Sequence, residues 1–149
     1  MFEKLGVALI GVAGLAAAFV EANKHIVSFW DAMEIKDDED WNNYVKSFRY
    51  EPPGQVQIVN DRYEITVSDF FQISDLYDRL NKLSVYTRGT KPKEDAKSIL
   101  VRLIKADGNI LEFTFTDAGW VAEDNLIYPV LSYRRFEEFL EGMHDDSDL

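Results

Sequence analysis

The sequence predicts an α+β protein: an N-terminal apolar helix of transmembrane character, then a mostly antiparallel sheet of about five strands with two or three helices packed on one face. Three observations carry this. Leu5–Val20 is a run of sixteen residues with no charged side chain. Asp107-Gly108 separates two apolar stretches as a hairpin turn does. Elsewhere, stretches of alternating apolar residues exchange with stretches of helical periodicity, the pattern of strands and helices sharing one core.

The N-terminal run comes first. As a helix rising about 1.5 Å per residue it extends roughly 24 Å, slightly short of the roughly 30 Å hydrocarbon core of a bilayer. Phe2 and Ala22 lengthen it when Glu3, Lys4 and Glu21 turn their charges toward the headgroups. Ala8, Gly11, Gly14, Ala18 and Ala22 recur three or four apart, so they line one face, and small residues there let a second helix approach closely. The expected localisation is a membrane, crossed once. The alternatives are an exported chain with a signal peptide cleaved after Ala22, and a helix buried in a soluble assembly.

Residues 23–35 carry Ile26, Trp30 and Met33 at helical spacing, which extends the first helix; such an extension puts Trp30 beyond the interfacial belt, so Trp30 is expected to pack on the domain, and the anchor with its extension covers 1–35. Asp37-Asp38-Glu39-Asp40 follows. As a cluster of hard oxygen ligands it suits a cation, but it stands before Trp41, Tyr44, Val45 and Phe48, where carboxylates cap a helix and answer its dipole. That short helix and the Pro52-Pro53-Gly54 linker occupy 36–54. The soluble domain is placed at 55–142. Val56 and Ile58, then Tyr63, Ile65 and Val67, alternate about a polar tip as a hairpin. Ser68 or Asp69 caps a helix whose stripe is Phe70, Ile73, Leu76, Leu80 and Leu83. The apolar strand from Ser98 to Lys105 belongs at the centre of the sheet. Asp107-Gly108 predicts a type I′ turn into Ile110–Thr116. Asp117-Ala118-Gly119 turns again toward Trp120, and Pro129 marks an edge strand. Ser132 opens a closing helix that Gly142 ends, leaving 143–149 as an acidic disordered tail.

Composition limits the function. A net charge of −11 argues against nucleic acid, whose phosphates demand concentrated lysine and arginine, and fits attraction to a basic partner. The chain has no cysteine, which excludes disulfides and thiol chemistry. Its two histidines, His25 and His144, flank the folded part. No nucleophile elbow, phosphate loop or metal-binding spacing occurs. Asp117, beside Gly119 and Trp120, is the nearest thing to a catalytic carboxylate and reads better as a turn residue. No enzyme activity, metal or cofactor is therefore expected.

Two features remain for binding. The locally basic loop after Ser84 offers Tyr86, Arg88, Lys91, Lys93 and Lys97 as a contact surface. Trp41, Trp120, Tyr128 and Tyr133 could equip a binding face or fill the core. The expectation is a non-catalytic, membrane-anchored accessory subunit, with the small-residue helix face for a membrane partner and the acidic domain for protein contacts. An immunity-type inhibitor of a basic toxin is the first alternative. The second follows a resemblance: a short leader ending at Gly6, an apolar helix and a β-rich domain resemble pilin-like subunits, although Ile10 stands where such helices carry a glutamate. That resemblance implies self-assembly.

Overall fold

The computed structural model of the chain describes residues 25–147. The Leu5–Val20 run and its face of Ala8, Gly11, Gly14, Ala18 and Ala22 lie outside the described residues. Among the described residues, no helix is long and apolar enough to cross a membrane. The chain is α+β. It forms β1 (Ile26–Ser28), α1 (Phe29–Ala32), α2 (Glu39–Tyr50), β2 (Gln55–Val59), β3 (Glu64–Val67) and α3 (Phe70–Lys82). It continues through β4 (Ser84–Tyr86), β5 (Ser98–Ile104), β6 (Ile110–Thr116), β7 (Gly119–Val121), β8 (Ile127–Pro129) and α4 (Tyr133–Ser147).

The first elements correct the sequence reading. The segment expected to prolong the apolar helix to residue 35 is a strand followed by one helical turn. β1 pairs antiparallel with β4, Ile26 opposite Tyr86 and Ser28 opposite Ser84. Ser28 then caps α1, its Oγ accepting from the Asp31 amide at 3.1 Å. This break places the neighbouring Phe29 and Trp30 in the core together, at 0% and 1% exposure. The Trp30 indole N–H donates to Asn81 on α3 at 2.9 Å. Among the described residues, α1 and α2 thus share one core with the elements that follow residue 55, α2 contributing Val45 and Phe48.

Capping explains the helix starts. Asp38 accepts from the Trp41 amide at 3.0 Å, so the acidic run is the N-terminus of α2. Asp69 is the cap of α3, accepting from the Gln72 amide at 3.0 Å. The Arg49 guanidinium reaches back from α2 to Asp31 at 2.8 Å. That bond holds the Asp31 carboxyl below its usual range, against a smaller opposing effect of burial.

Six strands build the main sheet in the order β3-β2-β5-β6-β7-β8, every neighbouring pair antiparallel. This is one more than about five, and β1 with β4 forms a second sheet of two. The sheets join where Val85 bridges Val130 and Thr90 bridges Ile127. β5 is central, as its double-sided apolarity predicted, with Ile99, Val101 and Leu103 buried. Helices cover one face, burying Val56, Ile58, Leu111 and Phe115 against α2, α3 and α4. The other face is open, and there Arg102 donates to Glu112 at 3.3 Å and to Gln57 at 3.4 Å. α2 is tied to the sheet by the Tyr44 hydroxyl, which donates to the Ile110 carbonyl at 2.6 Å and accepts from its amide at 3.0 Å.

Two turns differ from expectation. At Asp107-Gly108 only Gly108 takes a positive φ, 90°, and its amide donates to the Lys105 carbonyl at 3.0 Å. This is a type I turn closed by a glycine bulge, the longer hairpin that an Asp-Gly pair also serves. The two-residue turn with both central φ positive lies at Asp117 and Ala118, at 49° and 64°. Asp117 is accordingly a turn residue. Finally, α4 runs through Gly142 to Ser147, so part of the expected tail is helical. Met143 is buried beyond that glycine, and His144 stacks on Tyr63 at 3.9 Å between ring centres. Packing outweighs the modest cost of an interior glycine.

Candidate functional site

The curl from β6 through β8 onto β4 and β1 leaves a groove of about 620 Å³ between them. That volume lies within the roughly 300–1,000 Å³ of ordinary ligand sites. Phe113 and Trp120 line it from the core side, backed by the buried Phe29. Phe29 sits edge-on to Phe113 at 5.1 Å and to Trp120 at 5.6 Å between ring centres. Trp120 leans on Tyr128 at 5.9 Å. Val27 and Val85 form the opposite apolar wall, with Tyr86 at its lip.

One end is closed by the connection from α1 to α2. This connection is pinned at two places. The Trp41 indole N–H donates to the Met33 carbonyl at 2.7 Å. The Asn42 amide accepts from the Ile35 amide at 2.7 Å and donates to the Ile35 carbonyl at 2.9 Å. Two hydrogen bonds from one side chain fix the strip's orientation as well as its position. That end of the groove is therefore held in place by hydrogen bonds.

Its charge is one-sided. Glu34, Glu112, Glu123 and Asp124 line it, and no lysine, arginine or histidine does. Glu34 pairs with Lys46 at 3.8 Å and Glu112 with Arg102 at 3.3 Å. Glu123 and Asp124, on the exposed turn between β7 and β8, form no ion pair among the described residues. Asp124 accepts from the Leu126 amide at 3.0 Å and from the Tyr128 hydroxyl. That second bond raises the Tyr128 pKa, with burial and the carboxylate charge adding to it. Tyr128 thus remains a neutral donor and a fixed ring in the wall.

The residues singled out in the sequence separate here. Tyr86 enters the groove, while Arg88, Lys91, Lys93 and Lys97 stay exposed outside it. Lys97 approaches Asp61 at 3.8 Å. Trp41, Trp120 and Tyr128 share the groove wall; Tyr133 instead packs on Phe115 at 5.7 Å, buried in the core. The sequence reading missed Val27, Val85 and the Glu123-Asp124 rim. The rim's signal was a pair of acids four residues from Tyr128 and directly after a strand. Among the described residues, no group of three or more acidic or histidine side chains is placed to hold a metal ion. Comparison of the chain with protein-family models, curated proteins and solved structures finds no match.

Proposed function

We propose that this protein is a non-catalytic accessory subunit, carried at a membrane by Leu5–Val20 and holding a protein partner in the groove of its α+β domain. The observation that carries the reading is the groove itself. It combines five aromatic side chains, a hydrogen-bonded connection at one end and carboxylates without a lining cation. Aromatic anchors in a preformed cleft are what protein interfaces use as their energetic centres. The small-residue face of the N-terminal run supports a second, helix-to-helix contact within the bilayer. The acid surplus also supports the narrower reading of an inhibitor that answers a basic toxin.

The experiment fills the groove. Ala122 lines it and is half-buried, whereas Thr66 is exposed on β3. Ala122→Trp in the full chain is expected to reduce recovery of the co-purifying partner from detergent-solubilised membranes at least tenfold, with Tm little changed. Thr66→Trp is expected to leave recovery intact. Equal recovery with both variants contradicts the reading.

A further inference from the structure

We propose that the groove's occupant is an extended basic segment of the partner, paired along the free edge of β1 and seating an arginine or lysine between the aromatic wall and the Glu123-Asp124 rim. This rests on the groove being the partner site.

The charge argument comes first. The rim carries two exposed carboxylates with no ion pair among the described residues, and the lining supplies no cation. A cationic side chain entering there comes beside Trp120 and Tyr128, aromatic lining residues whose rings can attract it. The same approach is steered by the chain's net charge of −11.

The strand edge argues for a polypeptide over a small organic cation. The Thr87 amide donates to the His25 carbonyl at 2.7 Å, and the Phe29 amide donates to the Leu83 carbonyl at 2.9 Å. With Val27 opposite Val85 in the same register, the odd-numbered residues of β1 face β4. Ile26 therefore turns both its N–H and C=O outward and Ser28 its N–H, while the Ser28 carbonyl is taken up by the first turn of α1. Among the described residues, no strand pairs with that edge. An open edge beside a groove is a template for an added strand, whose alternate side chains fall on the face of Val27. Val27 is a groove residue, so every second side chain of the added strand is delivered to the cavity.

The test uses the full chain in detergent micelles and five probes: a fluorescein-labelled peptide alternating arginine with valine, the same peptide with citrulline for arginine, the arginine peptide N-methylated at alternate amides in each of the two registers, and free arginine amide. Fluorescence anisotropy, with competition by the arginine amide, reads affinity. The arginine peptide is expected to bind at least tenfold more tightly than the citrulline peptide, and more weakly as salt rises. N-methylation in the register that blocks the bond to the Ile26 carbonyl is expected to abolish binding. Glu123→Gln, on an exposed side chain, and the double variant Glu123→Gln with Asp124→Asn are expected to weaken the arginine peptide progressively without changing the citrulline peptide. Equal affinity for arginine and citrulline peptides overturns the proposal. So does tight binding of free arginine amide or of both N-methylated registers, which marks a small-cation site. Failure of every peptide, while Ala122→Trp still releases the native partner, also overturns it and leaves the groove reading standing; insensitivity to Ala122→Trp removes both.

Discussion

Replacing Phe29 with alanine is expected to destabilise the domain by about 3–5 kcal/mol, the range for truncating a fully buried aromatic. The side chain is completely enclosed and touches the rings of Trp30, Phe113, Phe115 and Trp120. Its removal deletes transfer free energy and leaves a cavity whose walls come from β6, β7 and α1. Those walls cannot collapse together without breaking strand pairing. A domain of this size has about 5–15 kcal/mol in total, so the loss is visible as a fall in Tm of roughly 10 °C or more. Chemical denaturation of the full chain in detergent checks it. The result also separates two architectures. Were residues 26–35 a helical extension of the apolar run, Phe29 would lie outside the core and its truncation would cost well under 1 kcal/mol.

Gly119→Ala is expected to cost about 1–3 kcal/mol, toward the upper end of overpacking effects, and to damage the groove as well as the fold. A Cβ at this position would stand 2.2 Å from Ile127 Cγ2 and 3.0 Å from the Tyr128 carbonyl oxygen. The carbonyl is backbone and cannot rotate away. Relief requires β7 and β8 to separate, and these strands carry Trp120 opposite Tyr128. The variant should therefore lose partner binding by more than its stability alone implies. Measuring partner recovery well below Tm isolates that part. Full stability with full binding would show that the β7–β8 contact is looser than described.

The parts of the fold that were legible in the sequence are those with a long, unmixed period. β2, β3, β5 and β6 alternate over four to seven residues. α3 lands where its acidic cap and its stripe placed it, with Ile73, Leu76, Leu80 and Leu83 buried, but Phe70, expected to open that stripe, is 73% exposed on the first turn. β1 and β4 have three residues each, too few for alternation to be told from chance. In β1 the helical spacing of Ile26, Trp30 and Met33 competes directly with the strand reading. Tertiary pairing with β4 decides between them, and that pairing spans residues far apart in sequence. The turns show the converse. Asp107-Gly108 announced a hairpin correctly but not its type, while Ala118 takes its positive φ with no residue preference to reveal it. The groove was legible only as composition. Trp41, Trp120 and Tyr128 were visible as aromatics, but nothing local said that they share a wall with Val27 and Val85 while Tyr133 joins the core. The basic loop drew attention through its charge, yet it is the neutral Tyr86 at its start that reaches the cavity.

The central claim is that a protein partner occupies this groove. The most direct measurement is photocrosslinking from p-benzoylphenylalanine placed in the full chain at Tyr86, and separately at Tyr50. Both are exposed tyrosines, at 41% and 69%, and only Tyr86 lines the groove. One discrete protein adduct from position 86, absent from position 50, is the predicted result. No adduct from position 86, or the same adducts from both positions, would contradict it.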